Sequence, residues 1–244
     1  MKIIATIEAR MTSSRLPGKV LMESCGKPML EHMIERLRRS KRLDDIVVAT
    51  TTNSEDNLIV TLCEKLQCHY YRGSEDDVLD RVLKAAKRFD ADVIVETTGD
   101  CPLIDWRQID ELIDIYKEND YDYVSNSTER TYPDGFDIRI FSTDALDIIS
   151  KKDLTILDRE HVSIYFPQHP QEFKCYNLLA ESYENRPDIE VTLDEIGDFK
   201  LLDSIICGLS TINPDFSCRD VIEYIDENPE LKEYVEGIKR KGIS

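Results

Sequence analysis

Positive charge is in short supply in this chain: 31 Lys and Arg against 49 Asp and Glu leave 244 residues at a net charge of −18. That balance argues against nucleic acid or an anionic membrane as a partner, since both require a basic footprint. Long apolar runs are missing as well. The segment from Lys2 to Ile7 turns polar too soon for a signal peptide, and no stretch approaches a membrane span. Cysteine shows no framework: the seven lie scattered at 25, 63, 68, 101, 175, 207 and 218, without a CxxC pair. The four histidines complete no zinc spacing. Reduced thiols in a cytoplasmic protein are the resulting expectation. There is no internal repeat, low-complexity stretch or linker, so residues 1–244 read as a single domain, with 208–244 as a helical C-terminal tail.

What remains is a soluble globular composition, 41% apolar and 33% charged. The first hundred residues alternate strand and helix. Strands are expected at 3–7, 45–51, 69–72 and 91–97, with helices at 29–40, 54–66 and from about 73–78 onward. This order predicts an α/β, Rossmann-like, mostly parallel doubly wound sheet. Further on come a helix at 106–117, strands at 121–124 and 136–141, helices near 143–150 and 158–166, and a strand near 172–179. A strand at 189–193, a helix at 195–206 and two short acidic helices between 218 and 239 complete the reading.

The chemistry concentrates just after the first strand. Arg10, Arg15 and Lys19 fall within ten residues, with hydroxyls at Thr12, Ser13 and Ser14 and a sharp turn at Pro17 and Gly18. Residues 1–42 hold ten Lys and Arg against four Asp and Glu, so the scarce positive charge is gathered here. A cationic loop at the carboxyl end of a parallel strand is a natural polyphosphate site; a solvated basic loop is the plainer reading. Asp100, fixed between Gly99 and Pro102 at the end of a buried strand, suits Mg²⁺, which favours one or two carboxylates plus phosphate oxygens. Asp194 follows the expected strand at 189–193 in the same way but could equally be a helix cap, whereas for Asp100, the strongest candidate, a cap or turn role is the lesser alternative. Asp198, one turn further on, is a weaker alternative to Asp194.

The segment from Ala9 to Lys19 resembles the signature loop of cytidylyltransferases that make CMP-activated acidic sugars, of the acylneuraminate and Kdo type. It is most similar to the spore-coat-polysaccharide branch of that family. The resemblance continues through 72–81, Gly99–Leu103, Tyr132–Asp137, Arg159–Val162 and Thr192–Asp194, and covers roughly residues 1–205. Two positions depart from it: Glu8 stands where relatives usually carry Gln or Pro, and Arg139 where many carry Glu.

The resemblance implies a fold of the nucleotide-diphospho-sugar transferase, glycosyltransferase-A-like type. It assigns the nucleotide to Ala9, Arg10, Arg15, Lys19, Arg72, Ser74, Asp77 and Thr98, and Mg²⁺ to Asp100 and Asp194. Arg10, Lys19 and Asp100 would carry catalysis. Tyr132, Asp137, Arg139, Glu160 and His161 would contact the acceptor. The implied reaction uses Mg·CTP, or another nucleoside triphosphate: an acceptor oxygen attacks the α-phosphorus and pyrophosphate leaves. Surface polysaccharide or glycoconjugate synthesis and a homodimer belong to the same expectation. Two other readings stand beside it. A glycosyltransferase of this fold needs a well-placed Asp-x-Asp, and the pairs Asp90/Asp92 and Asp120/Asp122 precede strands. A non-catalytic nucleotide-binding subunit would have no need to keep Arg10, Lys19, Asp100 and Asp194 together.

Overall fold

In the computed structural model, which describes residues 1–238, the first strand β1 (Ile3–Glu8) is apolar on both faces because both are covered. Ile3, Ala5 and Ile7 meet one helical layer, while Ile4 meets the other. The chain then forms a small hairpin, β2 (Glu23–Ser24) and β3 (Lys27–Pro28), leading into α1 (Met29–Leu37). The next units are β4 (Asp45–Thr51), α2 (Asn57–Leu66), β5 (His69–Gly73), α3 (Val78–Arg88) and β6 (Val93–Thr98). After α4 (Trp106–Glu118) come β7 (Tyr123–Ser125), β8 (Arg139–Ser142), α5 (Thr143–Ser150), α6 (Ile156–Glu160), α7 (Tyr165–Gln168) and β9 (Cys175–Asn177). Two helices close the described chain, α8 (Ile196–Ile212) and α9 (Cys218–Glu227), followed by a 3₁₀ turn at Pro229–Tyr234.

Among the described residues, seven strands form one sheet in the order β5-β4-β1-β6-β8-β7-β9. β5, β4, β1 and β6 run parallel, and β8 joins β6 antiparallel. β1 lies centrally, with its successors β4 and β6 on opposite sides, so the crevice where strand order reverses opens at its carboxyl end. That is where the cationic loop leaves the sheet.

Several expected elements are shorter or absent, each for a visible reason. The strand expected from Phe136 begins only at Arg139, because Asn126 replaces the ladder there. Its amide donates to Phe136 O (2.8 Å) and its carbonyl accepts from Ile138 N (2.8 Å). The helix expected at 158–166 is split into α6 and α7 around Val162, whose φ is +48°. The strand expected at 172–179 is reduced to β9. The strand expected at 189–193 does not form: this extended segment makes a single bridge, Asp134 to Glu190. The tail is no appendage, since Cys218, Val221 and Ile225 are buried with Leu202 and Ile205 of α8 in a third core cluster. The expected tail helices reach Lys239, and residues 239–244 lie outside the described residues.

The reduced-thiol expectation is overturned at one pair. Cys25, at the tip of the β2–β3 hairpin, is bonded to Cys207 on α8, with Cα atoms 5.7 Å apart. A separation of 182 residues hid this pair, because only the tertiary fold brings the hairpin onto α8. A crosslink closing so long a loop stabilises by about 2–5 kcal/mol, mainly by restricting the unfolded chain. Reductant should therefore lower the melting temperature by several degrees in calorimetry, and Cys207→Ser should do the same without reductant. An unchanged melting temperature in both would show that the crosslink carries no stability.

Candidate active site

The loop after β1 is held by its own backbone. Met11 N donates to Asp56 Oδ1 (2.7 Å), and fully buried Asp56 also accepts from Thr51 N (3.1 Å) and the Thr51 hydroxyl. Gly18 N then donates to Met11 O (2.8 Å), closing the loop. Gly18 has φ +74°, a conformation that costs an L-residue with a side chain but not glycine. The chain turns there into a single 3₁₀ turn, Lys19–Leu21, which directs Lys19 inward.

Two carboxylates meet Lys19. Gly99 brings the β6 end against β1: a Cβ at this position would lie 3.0 Å from Glu8 O and 3.2 Å from Ala9 Cβ. Asp100 follows directly, and its carbonyl accepts from Leu193 N (2.8 Å), stitching it to the residue before Asp194. Lys19 Nζ lies 3.1 Å from Asp100 Oδ2 and 2.9 Å from Asp194 Oδ1, while Arg15 Nη2 is 2.8 Å from Asp194 Oδ2. Burial favours the neutral form of Asp100, but Lys19 and Thr98 outweigh it and hold the carboxyl below its ordinary range. Burial also works against charge on Lys19, and the two carboxylates reverse that and raise its pKa.

Asp194 does not cap a helix. Glu195 is the N-cap of α8, and Asp198 at N3 completes a capping box. Asp198 Oδ2 accepts from Asp194 N (3.0 Å) and Glu195 N (2.8 Å), which assigns Asp198 to the backbone and leaves the Asp194 carboxylate facing the loop.

Around these groups lies a cavity of about 520 Å³, lined by Ala9, Arg10, Ser13, Ser14, Arg15, Lys19, Asp100 and Asp194 on one side and by Leu157, Glu160 and His161 on the other. Arg10 leans away to Glu75 (3.3 Å), which also accepts from the Thr12 hydroxyl and from Asn53 Nδ2 (2.6 Å). Every cation of the loop is thus matched by a carboxylate. Among the described residues no three His, Cys, Asp or Glu side chains converge as a metal cluster. Two hard carboxylates gathered around one ammonium do fit Mg²⁺, which completes its octahedron with water and phosphate oxygens. In this structure Lys19 stands where such a cation would neutralise them.

A second cavity, of about 280 Å³, adjoins the first along Glu8, Glu160 and His161. Glu96, Thr98, Tyr123, Ser127, Thr128 and Arg139 contribute to its wall. Arg139 Nη2 donates to Asp137 Oδ2 (3.2 Å), and Asp137 is itself gripped by both Nη atoms of Arg130 (2.9 and 3.0 Å). Burial opposes the charge on Arg139, but Glu96 and Asp137 keep it firmly protonated.

The structure gathers Ala9, Arg10, Arg15, Lys19, Asp100, Asp194, Glu160 and His161 at the first cavity and places Thr98 and Arg139 at the second. Asp137 stands behind Arg139 as its partner. Others lie elsewhere. Tyr132 is 5% exposed, packed in the third core cluster, and lines neither cavity. Arg72 is spent on its own neighbourhood, donating to Thr51 O, Asn57 Oδ1 and Asn53 O at 2.7–2.8 Å. Ser74 accepts from Asp77 N (3.0 Å), and Asp77 caps α3, pairs with Arg159 (3.0 Å) and lines a third cavity that adjoins the first at Arg10 and Glu160. Sequence reading missed Glu75 and Glu96. Glu75 carries no signal beyond an acidic helix start, while a glutamate inside the apolar run of β6 was a visible anomaly.

A doubly wound sheet with cations and two carboxylates converging at its switch point defines a nucleotidyltransferase. The sequence profile described as "Cytidylyltransferase" matches residues 4–237, and the chain belongs to that family. It is a CTP-dependent enzyme. It is 41% identical over 241 residues to the uncharacterized protein MJ1063 of Methanocaldococcus jannaschii, covering 99% of this chain and 97% of that one. With the spore coat polysaccharide biosynthesis protein SpsF of Bacillus subtilis it shares 30% identity over 235 residues, 93% of this chain and 95% of the other. The structure of a cytidylyltransferase from Leptospira borgpetersenii superposes with a TM-score of 0.90 at 32% identity, covering 99% of this chain and all of that one. No helix among the described residues is long and apolar enough to cross a membrane.

Proposed function

We propose that the enzyme transfers CMP from Mg·CTP to an acidic sugar or related acceptor, releasing pyrophosphate, in the synthesis of a surface polysaccharide or glycoconjugate. The observation that carries this reading is the pair of cavities joined along Glu8, Glu160 and His161. The first offers cations for a triphosphate; the second offers hydroxyls and an arginine for a sugar.

In this reading Arg10 and Arg15 exchange their carboxylate partners for phosphate oxygens, each guanidinium clamping two at once, while Lys19 acts as a point charge. An acceptor oxygen at the seam attacks the α-phosphorus in line. The new O–P bond forms as the α–β bridge breaks, and the electron pair leaves on pyrophosphate. Arg15 and Lys19 offset the charge that collects there, which is the term that lowers the barrier. Asp100 and Asp194 would hold Mg²⁺, whose chemistry is to neutralise the triphosphate and acidify the attacking hydroxyl. Glu160 and His161, at the end of α6, border both reactants. A homodimer and a cytoplasmic setting belong to the same reading, and sedimentation and cell fractionation test them.

Pyrophosphate release should be fastest with CTP among CTP, UTP and GTP, should require an added sugar acceptor, and should stop with EDTA. Release that is equally fast from all three nucleotides, or independent of any acceptor, overturns the proposal.

A further inference from the structure

The second cavity is charged the wrong way for a purely anionic guest. Glu8, Glu96 and Glu160 line it against one guanidinium, that of Arg139. Arg139 is already engaged, through Nη2 with Asp137 (3.2 Å) and through Nη1 near Glu96 Oε1 (3.7 Å). An acidic group of the acceptor would share that guanidinium with Asp137 and Glu96.

The floor of the cavity shows the opposite need. Glu96 is 2% exposed, lines the cavity, and its Oε2 has no hydrogen-bond partner. Glu8 Oε1 is likewise buried and without a partner. The β1–β6 register sets Thr6 beside Glu96 and Glu8 beside Thr98, so both glutamates rise from the same face of the sheet, one pleat repeat apart. Thr6 Oγ1 is also buried and unpartnered, and the Ser163 hydroxyl lies beside Glu96. Burial, and for Glu8 the neighbouring Glu96, pushes these carboxyls above their ordinary range, against the opposing pull of Arg139 on both and of Arg81 on Glu8. A buried polar group without a partner is costly, and a carboxylate most of all. An ammonium has three donors and no acceptor, which suits two glutamates that line the same cavity.

Resting on the cytidylyltransfer reading, we propose that the acceptor sugar carries a free protonated amine, received by Glu8 and Glu96 at the floor of the second cavity. Thr98, Ser127 and Thr128 remain for the hydroxyls of the ring. Glu8 is thereby a specificity-determining residue: it reaches both cavities, so the amine fixes how the acceptor lies against the nucleotide.

Ligand-observed NMR titration of the whole enzyme at neutral pH tests this with D-glucosamine, N-acetyl-D-glucosamine and D-glucose as probes. D-Glucosamine should bind about tenfold more tightly than the other two, the scale of one charge-assisted hydrogen bond. That preference should fall to about twofold or less in Glu8→Gln and in Glu96→Gln, each checked for an intact melting transition. The two variants act independently, so one that fails to fold leaves the other to decide. Equal binding of the three sugars by the wild type, as when only water fills the floor, overturns the inference. So does an amine preference that survives in the folded variants. Pyrophosphate release on the same samples separates the two readings. An amine preference without transfer to any acceptor removes the transfer reading alone. Transfer without an amine preference removes this inference alone.

Discussion

Asp100→Asn and Asp194→Asn should each slow pyrophosphate release by roughly 10²–10³-fold, the usual loss when one preorganised charge-stabilising group is removed. Each asparagine keeps the shape and one acceptor oxygen, so Lys19 retains a partner and the melting temperature should move little. The two carboxylates share Lys19 at 3.1 and 2.9 Å and are stitched together by the Leu193 N to Asp100 O bond, so they form one unit. The double variant should therefore be little slower than either single one. Asp198→Asn should give the reverse pattern. Its carboxylate holds the backbone N–H groups of residues 194 and 195, so the change costs about 0.5–2 kcal/mol of stability, with a smaller effect on turnover. Rate assays and calorimetry on the four proteins decide the matter. Near-normal turnover in Asp194→Asn would remove that residue from the site.

Lys19→Ala should change two affinities in opposite directions. Loss of a charge-assisted bond to phosphate should weaken CTP binding by about tenfold or more. In the nucleotide-free protein, however, the lysine is the cation shared by Asp100 and Asp194, beside the Arg15 held to Asp194, and its side chain is only 11% exposed between them. Removing it leaves two carboxylates with Arg15 as their one remaining loop cation, so they attract another cation. Mg²⁺ alone should therefore bind more tightly to Lys19→Ala than to the wild type. Calorimetric titration with CTP and, separately, with MgCl₂ checks both signs. Unchanged CTP affinity would take Lys19 out of the triphosphate site, and unchanged Mg²⁺ affinity would separate it from the carboxylates.

The part of the fold that carries the candidate site was legible because it is built from local signals. The runs Ile3–Ile7 and Asp45–Thr51 are buried on both faces and need no partner information to be read as parallel strands. The cationic loop announced itself through spacing and through its Pro17–Gly18 turn. Beyond Leu103 the backbone is held by contacts that periodicity cannot carry. Asn126 does the work of a strand for Phe136 and Ile138, and Val191 is held by Asp134 O (2.8 Å) outside any sheet. The strand expected before Asp194 is an extended segment with a single bridge, Asp134 to Glu190. Tyr132 shows the converse error: the sequence around a turn does not say whether its aromatic ring faces ligand or core. Glu75, Glu96 and the Cys25–Cys207 pair were illegible as partners, because each meets its neighbours only after the sheet has assembled.

The bond between Cys25 and Cys207 also changes what kind of polymer the enzyme is. With a separation of 182 residues, the segment from Cys25 to Cys207 is a closed covalent ring. A cut at any one peptide bond inside the ring opens it without releasing a piece. The exposed turn at 181–183 is such a place. A protease acting there would separate Lys19 from Asp194 in sequence, yet the two fragments would stay tied through sulfur, on the hairpin that follows the phosphate loop and the helix that follows Asp194. Backbone continuity and the pairing of Lys19 with Asp194 are thus uncoupled, and a nicked enzyme remains one covalent molecule until it meets a reductant.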